Sequence, residues 1–331
     1  MSNSKGRMKD KICMVTGATS GIGEVTAREF AKQGATVIVV GRNPEKGAAT
    51  LKRIRQATGN ESVEFMRVDF SVQDQIRQLA QQFQDRYARL HVLVNNAGAL
   101  FMKRQESVDG LEMTFAVNHL AYFLLTNLLL DTLTASAPAR IVNVSSDAHH
   151  RGKINFNDLQ LKEGYNMWPA YTQSKLANIL FTYELSRHLE GTGVTVNALH
   201  PGFVATNLGK NNGLLARLLI PFIQLFAIST EKGAQTSIYL ATSPDVEGVT
   251  GQYFADQKPK RSSKASHDRG AAQRLWHISE KLTGSASPER PGTHLWPPPP
   301  SSASPERPDT HLWPPPPASS GCRPSTPPAV A

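Results

Sequence analysis

Tyr171 and Lys175 stand four residues apart in the run Tyr171-Thr172-Gln173-Ser174-Lys175. On a helix that spacing puts both side chains on one face. A free phenol has a pKa of about 10 and is a poor base near neutrality. A neighbouring ammonium favours the phenolate and lowers that value. Such a pair can pass a proton to or from an alcohol oxygen. The same spacing also occurs in unremarkable surface pairs, so its meaning depends on the company it keeps.

That company begins near the amino end, with Thr16-Gly17-Ala18-Thr19-Ser20-Gly21-Ile22-Gly23 directly after an apolar run. Glycines let the backbone turn sharply and approach a pyrophosphate, and a helix amino end offers free N–H groups to it. Glycines also serve plain tight turns; the position between a first strand and a helix starting near Glu24 points to nucleotide binding. Gly17, Thr19, Ser20, Gly21, Ile22 and Gly23 are therefore expected at a dinucleotide. The second apolar run ends Val39-Val40-Gly41-Arg42. An Asp or Glu here would hold a ribose 2′-hydroxyl, whereas an Arg accommodates a 2′-phosphate. Arg42 thus favours NADP(H) over NAD(H), against the bland reading of a solvated arginine. Asp69 ends the third run, where a carboxylate can accept from the adenine amino group. Asn95-Asn96-Ala97-Gly98 ends the fourth, where Asn95, Ala97 and Gly98 would line the cofactor. Asp and Asn-Gly clusters are also routine turn formers.

The elements that must position these groups follow from the apolar pattern. Strands are expected at Ile12–Thr16, Thr36–Val40, Val63–Val68, Val92–Asn95, Arg140–Ser145, Thr195–Leu199 and Gln252–Phe254. They are short and mostly Val/Ile-rich, as strands buried on both faces should be. Helix-length segments separate them. This order predicts an α/β fold, a single doubly wound parallel-sheet Rossmann domain with ligands at the carboxyl ends of the strands. The domain is expected to span 1–284. Residues 258–269 read as a polar, basic loop and Ala271–Leu282 as a short helix. From 285 the chain turns Pro-rich, and Ser285–Pro300 recurs with one substitution as Ser302–Pro317. Pro lacks a backbone donor and fixes φ, so 285–331 is expected to be a disordered tail. It reads either as a ligand for a proline-recognising module or as a sequence extension without function.

Taken in order, TGxxxGxG, NNAG, an Asn in the next helix, a Ser ending the fifth strand, YxxxK and a Pro-Gly after the sixth strand resemble the short-chain dehydrogenase/reductase family. The resemblance covers about Lys11 to Phe254. It implies that Tyr171 is the acid/base and that Lys175 holds the nicotinamide ribose and lowers the tyrosine pKa. It implies that Asn118 supports a proton relay through water. Of the two serines in Arg140–Asp147, it assigns the orienting role to Ser146 and leaves Ser145 structural. Pro201, Gly202 and Thr206 would border the nicotinamide. Narrower stretches, among them Ala170–Phe181 and Val194–Gly202, resemble the retinol dehydrogenase-like group. Two departures stand out: Glu24 occupies a position where that group often has a Lys that helps bind the phosphate, and no amino-terminal membrane anchor is evident.

The remaining observations bound the partners. The net charge is +9. That suits a phosphorylated cofactor, and no nucleic-acid-binding signature accompanies it. Two cysteines, Cys13 in an apolar run and Cys322 in the tail, make no disulfide framework and fit a reducing, cytoplasmic setting. No signal peptide or transmembrane run is evident. His149-His150 lacks a third ligand at metal-binding spacing and is expected to be a pair of loop histidines, with no metal. The apolar segment Leu214–Ile228, within a substrate-covering stretch of about 207–230, reads as a lid selecting apolar substrates, as a core or homo-oligomer interface helix, or as a peripheral membrane contact. The expected activity is reversible carbonyl reduction and alcohol oxidation on an apolar small molecule (retinal-like, steroid or aliphatic). The alternative is a cofactor-binding regulatory protein of the same fold with little catalysis.

Overall fold

The computed structural model describes residues 6–202 and 229–285. Expectations for Thr206, for the 207–230 lid up to residue 228 and for the tail from 286 onward lie outside the described residues.

Strands β1 (Ile12–Thr16), β2 (Thr36–Gly41), β3 (Val63–Arg67), β4 (Val92–Asn95), β5 (Ala139–Val144), β6 (Val194–His200), β7 (Tyr253–Ala255) and β8 (Lys258–Pro259) form one sheet in the order β3-β2-β1-β4-β5-β6-β7-β8. All pairs are parallel except the last, β7 with β8. The order reverses between β1 and β4, which opens a crevice at the carboxyl ends of those two strands.

Alternation along the strands divides the core. Met14, Ile38 and Leu93 face one layer, where α3 (Gln73–Arg86), α5 (Ala121–Leu128) and α7 (Met167–His188) bring Phe83, Phe123 and Phe181. Cys13, Val15, Val37, Val39, Val92 and Val94 face the other, where α1 (Gly21–Lys32) brings Ala27 and Phe30 and α2 (Pro44–Thr58) brings Ile54. Period-two alternation in strands buried on both faces produces this split. Cys13 is fully buried, and burial pushes its thiol pKa far up. α4 (Met113–Phe115) runs through a π-helical stretch, Ala116–Leu120, into α5. The shorter α6 (Leu130–Thr134) precedes β5, and α8 (Thr230–Thr242) and α9 (Arg269–Thr283) follow β6 and β8.

Three expectations need correction. α1 begins at Gly21 rather than near Glu24, because glycine at positive φ (59°) starts the helix inside the motif itself. The 258–269 loop contains β8 and a 3₁₀ turn at Lys264–His267. β8 is only two residues, one of them Pro, and is held at the sheet edge where a missing donor is tolerated. The last helix is longer than expected, capped by Asp268 at its start and by Gly284 in the left-handed region at its end.

Candidate active site

The glycine loop is shaped by its neighbours before any ligand is considered. Thr16 ends β1, and its Oγ1 accepts from the backbone amides of Asn96 (2.8 Å) and Ala97 (3.0 Å). Asn96 Nδ2 donates back to the Thr16 carbonyl at 2.8 Å. Gly17 sits at φ 64°, and a Cβ there would lie 2.8 Å from Ala97 Cα. At Gly23 a Cβ would lie 2.6 Å from Asn96 Nδ2. These two glycines therefore admit the loop after β4 as well as leaving a backbone approach for a pyrophosphate. Ser20 precedes α1 without capping it through its side chain. The first-turn amides of α1 thus stand without that acceptor, which fits an anionic group at this end. Ile22 is turned the other way, packed with Val25 and Ala234.

Around the end of β2, a Cβ on Gly41 would meet Thr19 Cγ2 at 2.7 Å, so this glycine makes room for Thr19. Arg42 is two-thirds exposed and lies 3.6 Å from the Asp69 carboxylate. Asp69 also accepts from the Ser71 amide (3.0 Å) and hydroxyl (2.7 Å). Glu24 is engaged by Arg53 on α2 through two hydrogen bonds, and Arg53 also reaches Thr50 Oγ1 at 2.8 Å. Among the described residues the two expected adenosine-side groups, Arg42 and Asp69, thus face one another across the ends of β2 and β3.

Asn95 does not line this crevice with its side chain. It is fully buried and donates to Thr126 Oγ1 (3.0 Å) and Asn143 Oδ1 (2.9 Å), while Asn143 donates to Thr182 Oγ1 (3.0 Å). The reason is alternation: Asn95 is the last strand residue and points into the α5/α7 layer, and Asn96 points to the glycine loop. Sequence reasoning named the cluster and missed which amide does what.

α7 starts at the Asn166 cap, whose side chain accepts from the Trp168 amide at 2.9 Å. Tyr171 and Lys175 lie one turn apart on it. Lys175 is buried and donates to the Val144 carbonyl at 3.1 Å, at the end of β5. Its Nζ lies 5.8 Å from the centre of the Tyr171 ring and 5.9 Å from that of Tyr122. Burial pulls its pKa down to about 8. The Tyr171 phenol is raised above its ordinary value by burial, and a hydrogen bond with the Ser146 side chain opposes that rise. Ser145 donates from Oγ to the Lys175 carbonyl at 2.7 Å and so fastens α7 to the end of β5.

Asn118 lies in the π-helical stretch and is fully buried. Its Oδ1 accepts from the Ala99 amide (2.7 Å), and its Nδ2 donates to the Ala99 carbonyl (3.0 Å) and to Ser174 Oγ (3.0 Å). Ser174 donates in turn to the Tyr171 carbonyl at 2.8 Å. Both amide hydrogens of Asn118 are therefore spent on the loop after Gly98 and on α7, and a relay through water would use main-chain atoms of this stretch.

Ser146 opens a 3₁₀ turn, Asp147–Arg151, that contains His149 and His150. The turn ends at Gly152, where a Cβ would lie 2.5 Å from the Thr172 carbonyl and 2.9 Å from Leu176 Cβ. A glycine here lets the turn lie directly on the helix that carries Tyr171 and Lys175, a role no motif announced. His149 is buried rather than a free loop histidine, whereas His150 is exposed beside Asp147. No metal-binding group of His, Cys, Asp and Glu occurs among the described residues. Trp168, 44% exposed, stacks on Tyr171 with ring centres 5.9 Å apart. Pro201 and Gly202 follow β6 and are the last described residues on that side of the crevice.

Comparison with known proteins identifies the family. Retinol dehydrogenase 12 of Mus musculus is 45% identical over 277 residues, which cover 83% of this chain and 86% of that protein. An uncharacterised protein from Mycobacterium paratuberculosis has a crystal structure that superposes with a TM-score of 0.68 at 35% identity, covering 84% of this chain and 94% of that one. A short chain dehydrogenase from Escherichia coli CFT073, crystallised with NADPH, gives a TM-score of 0.59 at 26% identity over 76% of this chain and 99% of its own. The family model of the short chain dehydrogenases matches residues 11–214. The chain belongs to the short chain dehydrogenase family and is an oxidoreductase resembling the retinol dehydrogenases.

Proposed function

We propose that this protein interconverts an alcohol and a carbonyl on an apolar substrate, with NADP(H) preferred over NAD(H). The observation that carries the reading is the convergence on the Tyr171 phenol of the Ser146 side chain, which lowers its pKa, and of Lys175 one helical turn away, 5.8 Å from the ring. A bound nicotinamide dinucleotide would supply or take up the hydride. The residues that would hold it are the Gly17–Gly23 loop, Arg42, Asp69, Ala97, Gly98 and Lys175, with Pro201 and Gly202 at the nicotinamide end.

The raised phenol of Tyr171 is protonated at neutral pH, so it can donate to the oxygen of a carbonyl as that oxygen gains charge. The Ser146 side chain lowers the phenol pKa and so favours its deprotonated form. The same hydroxyl would hold the substrate oxygen. Lys175, mainly an ammonium at neutral pH, favours the phenolate electrostatically once it forms. In the oxidative direction the same groups accept the proton.

Two features support NADP(H). Arg42 is exposed at the end of β2, and its ion pair with Asp69 is loose at 3.6 Å, so a phosphate can compete for it. The charge of Glu24 is met by Arg53. The NADPH complex of the Escherichia coli relative is in keeping with this. The apolar face of Trp168 beside Tyr171 supports an apolar substrate. The test is a panel of retinal-like, steroid and aliphatic aldehydes and ketones with NADPH and NADH, read by absorbance of the reduced cofactor. Turnover of an apolar carbonyl, faster with NADPH at equal concentration, is expected; no turnover with either cofactor would overturn the reading.

A further inference from the structure

His149 lies three residues after Ser146, fully buried against the sheet and α7. Its Nδ1 is 2.7 Å from the Ser146 carbonyl oxygen. Its Nε2 is 3.1 Å from the backbone amide of Ser263. A backbone carbonyl can only accept and a backbone amide can only donate. Nδ1 therefore carries the hydrogen and Nε2 presents its lone pair, which defines one neutral tautomer. Adding a proton at Nε2 would set two N–H groups against each other in a buried site.

The two partners belong to different parts of the chain. Ser146 follows β5 by two residues and bears the hydroxyl that acts on the Tyr171 phenol. Ser263 lies in the segment after β8, and its neighbour Ser262 is fixed to α7 by a 2.7 Å hydrogen bond with Tyr183. The imidazole is thus a strut between a segment moored on α7 and the main chain of Ser146. The edge of the Tyr253 ring closes one side at 4.8 Å, and the His150 ring lies at 4.1 Å on another. The remaining titratable neighbours are Asp147 and His200. Burial, with His150 and His200 adding to it, pushes the His149 pKa down to about 4, in keeping with a ring that stays neutral.

We propose that His149 is a positioning residue: as a neutral donor to the Ser146 carbonyl it fixes the main chain from which the Ser146 hydroxyl reaches Tyr171. It does not touch the reacting atoms. The inference rests on the proposed roles of Ser146 and Tyr171. It makes the proton affinity of Tyr171 depend on a residue that reaches Ser146 through its main-chain carbonyl and not through its hydroxyl. The groups facing the phenol are Ser146, Lys175, Tyr122 and the ring of Trp168. Of these only Ser146 is attached to the His149 strut.

Two replacements separate the two bonds. An asparagine amide reproduces the donor at the Nδ1 position, and a glutamine carbonyl reproduces the acceptor at the Nε2 position. His149→Asn should keep kcat within about threefold of wild type and lower the melting temperature, since the Ser263 amide loses its acceptor. His149→Gln should hold the melting temperature better yet lower kcat tenfold or more, with KM little changed. It should also move the tyrosine-dependent limb of the pH profile of kcat/KM upward, because the Ser146 hydrogen bond is loosened. NADPH binding, followed by its fluorescence, should match wild type in both.

Equal losses of kcat in the two variants, or an unmoved limb in a folded His149→Gln protein, would overturn the proposal. If His149→Gln does not fold, His149→Asn decides: a tenfold loss of kcat with retained folding and cofactor binding refutes it. Tyr171→Phe is measured alongside. Retained turnover in that variant would sink the catalytic reading itself. A dead Tyr171→Phe beside an unaffected His149→Gln would sink only the positioning role.

Discussion

The carboxylate of Glu24 and the guanidinium of Arg53 meet in a two-pronged fork, with Oε1 to Nε at 2.7 Å and Oε2 to Nη2 at 2.9 Å. A residue that reads in the sequence as a lone charge opposed to a phosphate therefore brings its own counter-charge from α2. Removing that counter-charge should expose the opposition. Arg53→Met is expected to raise the KM for NADPH severalfold and to leave that for NADH nearly unchanged. Stability should shift little, since a pair of this exposure is worth about 0.2–1 kcal/mol. Initial rates with both cofactors check this; equal rises would assign Arg53 to holding α2 in place.

Arg42 gives the complementary experiment. Arg42→Ala should raise the KM for NADPH by tenfold or more and that for NADH by less than twofold, because only the former carries the 2′-phosphate. A wild-type enzyme that favours NADH would refute the cofactor assignment directly.

Lys175 sets function against stability. Its pKa is about 8 in the folded chain against an ordinary 10.5. The folded chain thus binds fewer protons than the unfolded one between those values, so this group makes stability rise with pH across about 8 to 10.5. Below that window the penalty for the buried ammonium stands in full, on the order of 3 kcal/mol. Lys175→Met should therefore raise the melting temperature of the cofactor-free protein at pH near 7 while abolishing turnover. Losing the bond to the Val144 carbonyl offsets part of the gain. Calorimetry across pH is the check: the rise of stability above pH of about 8 should flatten in the variant, and an unchanged slope would mean another group titrates there.

Gly152 is expected to tolerate no side chain. A methyl at 2.5 Å from the Thr172 carbonyl must push the Ser146 turn off α7 or bend the helix. Gly152→Ala should cost about 1–3 kcal/mol and lower kcat together with it. Near-normal unfolding and kinetics would show that the turn can shift without disturbing Ser146.

Much of this was legible in the sequence for a physical reason. Strands buried on both faces read as short apolar runs, so β1 and β4, each closed by one polar residue (Thr16, Asn95), could be bounded to the residue. The Tyr171/Lys175 pair and the glycine loop stood out because the chemistry proposed for them demands particular residue types at fixed spacing. What stayed hidden depends on contacts between distant segments. Asn95 and Asn96 are identical in type and adjacent, and only the direction of β4 decides that one joins Asn143 and the other Thr16. His149 was noticed only as one of two loop histidines, because its partner, Ser263, lies over a hundred residues away, in a stretch whose polar composition read as loop. β8 is too short and too polar to announce itself.

The latch between Thr16 and Asn96 has a further consequence, for the dynamics of cofactor exchange. Because Thr16 and Asn96 hydrogen-bond each other's backbone, and Thr16 also holds Ala97, the latched part of the glycine loop has its shape in the free protein. The entropy of ordering it is then lost once, during folding, and not again at every encounter. Arrival of the dinucleotide should be governed by diffusion and charge, without a slow step of loop rearrangement. Departure would be limited by the contacts broken rather than by collapse of the loop. An oxidoreductase that must swap oxidised for reduced cofactor on every cycle gains from such a rigid cradle, which can empty and refill without being rebuilt.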